Sequence, residues 1–244
     1  MCENMDFTIR LAKKNIGIHS VNSRIYKSCK DYLTDEQAKP DIEIRINEEM
    51  LIREAERIKG NDGEDLTLRD VEDLLIHRFI AEALLEYNTI LMHGAVVSAG
   101  ERAYLFTAKS GTGKTTHVQK WLEKVESAFI VNGDKPLIIL DENGAFACGT
   151  PWCGKEHYGR NTIVPLNSII LMERCDHNHI EEIPFKSAFP LLLQQTYQPA
   201  DADKMRKTLA LMMKLKDSVH IYRFYFDNFQ DNCFQVAFDG LTKK

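Results

Sequence analysis

Two periods govern the apolar positions of this chain. Phe7, Ile9 and Leu11 alternate with Thr8 and Arg10, and Ile42, Ile44 and Ile46 alternate with Glu43 and Arg45, predicting half-buried strands. Between them, Ile16-Gly17-Ile18 predicts a second strand and 26–33 a short helix. The charge-rich stretch 50–59 has a helical pattern. Gly60-Asn61-Asp62-Gly63 then forms the strongest break in the first hundred residues and predicts a linker. It divides the chain into a strand-rich N-terminal extension, 1–62, and a domain over 63–244. The extension offers no chemistry and reads as a packing or specificity element.

In 67–85 the period changes. Val71, Leu74, Leu75, Phe79, Ile80, Ala83 and Leu84 recur at three and four, predicting one long amphipathic helix. Strands follow at 89–93 and 95–98, then a reversal at Ala99-Gly100-Glu101 and an apolar strand at 103–106. A loop with Gly111 and Gly113 leads into a helix over 115–124. Beyond it, 128–131 predicts a strand, and 137–140 with 145–148 a hairpin across Asp141-Glu142-Asn143-Gly144. A long loop at 149–161 precedes a buried strand at 168–172. Helices at 186–195 and 202–216, a strand at 220–226 and a final helix complete the pattern. The short reversal before 103–106 implies an antiparallel neighbour, so the fold class is α/β with a mixed sheet.

Composition changes the picture little. Hydrophobic residues are 44% and charged ones 27%, ordinary for a globular protein. A net charge of −5 argues against a nucleic-acid surface. No apolar run approaches the roughly 18 residues of a membrane helix, and the acidic start resembles no signal peptide, so a cytoplasmic protein with no membrane partner is expected. The six scattered cysteines are expected to be free thiols.

The chemistry concentrates in Ala108-Lys109-Ser110-Gly111-Thr112-Gly113-Lys114-Thr115, which fits a phosphate-binding loop with alanine in place of the first glycine. Glycines let successive N–H groups turn inward on an anion, and the helix that follows adds its N-terminal donors. Ser110, Gly111, Thr112, Gly113, Lys114, Thr115 and Thr116 are therefore the candidate nucleotide-binding residues. Lys114 would meet the β- and γ-phosphates, and the Thr115 hydroxyl would ligate Mg²⁺. Asp134, after the 128–131 strand, is the second candidate metal ligand. His93 is read either as a base near neutral pH or as a structural histidine. Lys155 and Arg160, in a glycine-flanked loop that reads as a lid or an acceptor wall, are candidates to stabilise a phosphoryl group in transfer. Cys148, Cys153 and His157, and Cys175, His177 and His179, have spacings that match no compact structural zinc pattern. Cys153 is a candidate reactive thiol.

With these pieces placed, the chain resembles the HPr kinase/phosphorylase and phosphoenolpyruvate-carboxykinase-like branch of phosphate-loop proteins. The matching residues are Ser110-Gly111-Thr112-Gly113-Lys114-Thr115-Thr116, His93-Gly94 and Asp134 in Asn132-Gly133-Asp134-Lys135-Pro136. Gly149-Thr150-Pro151-Trp152 and Leu191-Leu192-Leu193-Gln194-Gln195-Thr196-Tyr197 look like the small stand-alone bacterial HPr-kinase-like proteins. The resemblance implies phosphoryl transfer from ATP or another nucleotide, with Mg²⁺, to a serine-type hydroxyl of a protein, peptide or metabolite. It also implies a homo-oligomer. The chain departs from the family at Gly133, where HPr kinase carries the first of two aspartates. A non-catalytic nucleotide sensor or scaffold of the same fold is the alternative.

Overall fold

In a computed structural model, residues 4–35, 38–62, 66–227 and 232–242 are described. Cys2 and Gly63 lie outside them. The chain divides into two compact units, Met1–Glu86 and Tyr87–Lys244.

In the first unit, β1 (Met5–Leu11) turns tightly into β2 (Lys14–Ser20), which pairs in parallel with β3 (Ile42–Arg45). Asn22 caps the short helix α1 (Ser23–Ser28) through a bond to Arg24 N–H. Two longer helices follow, α2 (Glu48–Asp62) and α3 (Leu68–Leu84). Thr67 and Asp70 form a reciprocal capping box that starts α3. Gly60, Asn61 and Asp62 continue α2, so the break predicted there falls beyond Asp62, with Gly63 outside the described residues. The two-unit division likewise comes after Glu86, not at 62/63: α3 packs on α2, β2 and β3 and belongs with them.

Glu54 of α2 receives hydrogen bonds from Arg57, at 2.7 and 3.1 Å, and from Arg78 of α3 at 2.8 Å. The Arg57 bond foremost, with both guanidinium charges, outweighs burial and holds the Glu54 carboxyl below its ordinary pKa. A depressed acid contributes stability in full above its ordinary pKa and loses it as the pH falls from there through the lowered value. Glu54→Gln is therefore expected to be less stable by about 1 kcal/mol near neutrality. The two proteins converge only once the pH has fallen below the lowered Glu54 value, which thermal unfolding across pH measures.

In the second unit, β4 (Thr89–Leu91), β5 (Ala95–Ala99) and β6 (Arg102–Thr107) lead into α4 (Lys114–Lys124). β7 (Phe129–Asn132), the hairpin β8 (Leu137–Asp141) and β9 (Gly144–Cys148), and β10 (Ile163–Arg174) follow. Then come β11 (His179–Glu182), α5 (Phe185–Gln194), α6 (Ala202–Leu215), β12 (His220–Phe226) and α7 (Cys233–Thr242). Among the described residues the strands order as β4-β8-β9-β10-β6-β5-β7, with β12 beside β10 and β11 beside β12. β10 is the hinge of this arrangement. Its start pairs with β9, and a register shift between Leu166 and Ser168 hands its remainder to β6 and β12.

β6 runs parallel to β10 and antiparallel to β5, which is antiparallel to β7. The sheet is mixed, as the short reversal required. β6, β7, β10 and β12 all present their carboxyl ends at one edge, where open α/β sheets hold their ligands. Trp121 of α4, fully buried, packs in tilted and edge-on contacts against Tyr104 and Phe106 of β6 and Phe234 and Phe238 of α7, fixing the helix on the sheet. No helix among the described residues is long and apolar enough to cross a membrane.

Candidate functional site

The link between β6 and α4 is the predicted glycine loop. Gly111 and Gly113 take φ of +76° and +115°, the left-handed region that side chains resist. Space around a Cβ at Gly111 is open. The first α4 bond runs from His117 N–H to Gly113 O, which leaves Lys114, Thr115 and Thr116 as the leading amides of the helix. Lys114 is 8% exposed, and its Nζ donates to Ala108 O at 3.0 Å and Lys109 O at 3.3 Å. Burial pushes its pKa down, the Asp134 charge opposes this, and Lys135 adds to it. Ser110, Gly111 and Thr116 are exposed, while Thr112, Gly113 and Thr115 are half-buried.

Two strand-end segments and the segment that follows α5 align the polar groups beside this loop. Gly94 N–H donates to Asp134 O and Met92 N–H to Pro136 O; on the other side His93 N–H donates to Gln195 O and Tyr197 N–H to Leu91 O. His93 is thereby held between Asp134 and Gln195. Its Nδ1 lies 2.8 Å from Gln195 Oε1 and its Nε2 3.3 Å from Asp134 Oδ1. Side-chain exposures of 25% for His93 and 36% for Asp134 leave both within reach of a bound molecule. Burial opposes ionisation of Asp134, but the His93 hydrogen bond and the charges of Lys135, His93 and Lys114 prevail and hold its pKa low. The strand predicted over 89–93 is shorter: β4 stops at Leu91 on β8, and His93 stands in the link into β5.

The Asn132-Gly133-Asp134-Lys135 turn is set by the buried amide of Asn132, which no local pattern in the sequence marks. Asn132 Oδ1 accepts from Asp134 N–H at 2.9 Å and Lys135 N–H at 2.7 Å. Its Nδ2 donates to Thr150 O at 3.1 Å and Thr150 Oγ1 at 3.0 Å. Both lone pairs and both N–H groups are used, and Thr150 Oγ1 closes the network on Lys135 O at 2.8 Å.

Gly133 acquires a steric reason. A Cβ there would stand 2.5 Å from Cys153 O, so the loop 149–161 occupies the space a side chain would need. Tyr158 of that loop meets Gln119 of α4 at 3.3 Å, and Asn132 bridges to Gly159.

Its cations divide. Arg160 does not join the cluster: its guanidinium lies 4.6 Å over the Phe129 ring, at the far end of β7 from Asp134. Lys155 is exposed at the loop tip, next to Gly154, whose added Cβ would lie 3.4 Å from Asp134 Cβ. Burial, with the Asp134 charge beside it, raises the Cys153 thiol, the opposite of an activated nucleophile. The five described cysteines are free. Among the described residues one three-group set, Cys175, Asp176 and His177, could share an ion; Cys148, Cys153 and His157 form no such set.

A cavity of about 430 Å³ opens beside these groups, lined by Thr107, Lys109, Thr112, Arg174, Gln194 and Gln195 among others. Cavities of about 640 and 730 Å³ in the first unit are lined by none of the predicted site residues.

No family model and no curated protein matches the chain. Among solved structures, the HPr(Ser) kinase/phosphatase from Coxiella burnetii is similar with a TM-score of 0.37 and 7% identity, over 63% of this chain and 88% of that one. This is a weak structural similarity, and it leaves the assignment to the geometry of the site itself.

Proposed function

We propose that the second unit is a Mg²⁺-dependent phosphotransferase of the HPr-kinase-like type. It would move the terminal phosphoryl group of a nucleoside triphosphate to a serine-type hydroxyl in a protein, peptide or small metabolite. The observation that carries this reading is the placement of His93 and Asp134 in hydrogen-bond contact at the sheet edge that holds the glycine loop, with Asp134 in the field of Lys114.

The loop amides and the α4 N-terminus cradle the phosphates. Lys114 exchanges two neutral carbonyls for phosphate oxygens, which are stronger acceptors. Thr115 and the ionised Asp134 are hard oxygen donors, a set that fits Mg²⁺, whose charge would offset that of the phosphates. Gln195 Oε1 accepts from His93 Nδ1–H, which leaves the lone pair on Nε2; with the Asp134 oxygen turned to Mg²⁺, Nε2 would be released from Asp134 and open to the proton of the reacting hydroxyl. The acceptor, seated in the adjoining cavity, attacks through its oxygen; a new O–P bond forms as the bond to the β-phosphate bridge breaks. His93 Nε2 takes the hydroxyl proton, and the nucleoside diphosphate leaves. His93 thus serves where a second carboxylate is absent at Gly133.

The test is nucleotide consumption with Mg²⁺, with and without a pooled extract of metabolites and peptides. Extract-dependent consumption in the wild type is expected to fall by about tenfold or more in His93→Gln and in Asp134→Asn. Nucleotide binding without turnover under every condition would instead favour the sensor.

A further inference from the structure

β10 outruns its neighbour. β6 ends at Thr107 opposite Leu171, whereas β10 continues through Met172 and Glu173 to Arg174. Those three residues carry the strand roughly 10 Å beyond the end of β6, alongside the glycine loop. Strand alternation sets the side on which Arg174 leaves: Ile170 and Met172 face the core around Trp121 of α4, and Arg174 follows them at the same spacing. There its Nε donates to Thr112 O at 3.3 Å and its Nη2 to Gly111 O at 3.4 Å.

These bonds fall on a particular face of the loop. Lys114 holds the carbonyls of Ala108 and Lys109, and His117 N–H takes that of Gly113. Of the three that lie between, Arg174 takes two, those of Gly111 and Thr112. A trans peptide carries its C=O and N–H on opposite sides, so carbonyls held outward turn the N–H groups of Thr112 and Gly113 the other way. The Thr112 N–H now makes only a 3.3 Å bond to Lys109 O, which an incoming anion can replace. Lys114 must leave its carbonyls to reach a phosphate, and Arg174 need not. A planar guanidinium suits this task because two of its donors are fixed relative to one another, which a lysine cannot match.

We propose that Arg174 is a positioning residue for phosphate recognition, holding the outer face of the loop so that its backbone donors are set before the nucleotide arrives. The proposal rests on the phosphate-binding reading given above and adds a residue on another strand, 60 or more positions from the loop.

The experiment is calorimetric titration of the whole chain with Mg²⁺ and ATP, ADP or pyrophosphate, for the wild type, Arg174→Ala and Arg174→Lys, with thermal unfolding of each unliganded protein. Arg174 is exposed, so unfolding is expected to be unchanged. Arg174→Ala should weaken all three ligands by a similar factor, about tenfold, and lysine should restore part of it by bonding one carbonyl. A loss confined to ATP would overturn the proposal by making Arg174 a direct reader of the terminal phosphate. Unchanged affinities would overturn it too, whether or not the unfolding temperature moves. Absence of binding by the wild type would remove the phosphate-binding reading itself, a result distinct from either.

Discussion

Lys114→Met is expected to weaken nucleoside triphosphate binding roughly 100-fold, the sum of two charge-assisted hydrogen bonds of about 1.5 kcal/mol each. Lys114 is the one lysine the chain buries in the glycine loop, with burial driving its pKa down and only two backbone carbonyls as hydrogen-bond acceptors. A buried ammonium so placed costs the unliganded fold free energy, and phosphate oxygens offset that cost when they arrive. Methionine keeps most of the aliphatic stem and removes the charge. The unliganded variant should therefore unfold within a few degrees of the wild type, while the stabilisation that nucleotide confers disappears. Thermal unfolding with and without nucleotide checks both halves. Equal nucleotide-induced stabilisation in the two proteins would show that Lys114 does not meet the phosphates.

Gly133→Asp, which would create the pair of aspartates that the sequence resemblance leads one to look for, is expected to damage the protein and not to improve it. Its Cβ would stand 2.5 Å from Cys153 O, a backbone atom that cannot rotate away. Overpacking of this kind costs about 1–3 kcal/mol, and a second carboxylate beside Asp134 adds like-charge repulsion. Gly133→Ala separates the two effects, because it carries the clash without the charge. Both variants should lower the unfolding temperature, aspartate more than alanine. Transfer activity should fall in both, since the Cys153 segment must shift from the wall beside Asp134. A Gly133→Asp protein as stable as the wild type and more active would mean that the loop yields freely and that His93 is not the base.

Much of the fold could be read from local pattern. The long α3, the β8–β9 hairpin and the antiparallel β5–β6 reversal all follow from periods of three-to-four and two and from glycine turns. Other elements depend on partners far along the chain. β11, His-Ile-Glu-Glu in sequence from His179, has no apolar alternation beyond Ile180 and exists because β12 pairs with it. Gly60 looks like a helix stop, yet α2 runs through it to Asp62. β10 is twelve residues long, where the apolar run at 168–172 marks only its buried centre, so the extension that carries Arg174 to the loop was invisible.

The site divides in the same way. The glycine loop, Lys114 and Asp134 belong to contiguous motifs and could be picked out by residue type and spacing. Gln195 meets His93 across 102 positions and Asn132 meets Thr150 across 18, pairings that no local period encodes. Arg160 was drawn to the site by its loop and its charge, but the ring of Phe129 holds it at the other end of β7. Gly133 looks in the sequence like a missing carboxylate, whereas in the fold the Cys153 carbonyl leaves no room for a side chain there.

The most direct test of the central claim follows the terminal phosphate. The wild-type chain, Mg²⁺ and a nucleoside triphosphate labelled at the γ-position are incubated with fractionated cell extract, beside Lys114→Met as the control. The label is expected to appear as an acid-stable phosphate ester on a hydroxyl acceptor in a discrete fraction, in the wild type alone. Label that stays in the triphosphate across every fraction, with nucleotide bound throughout, would contradict transfer at this site and leave a nucleotide sensor.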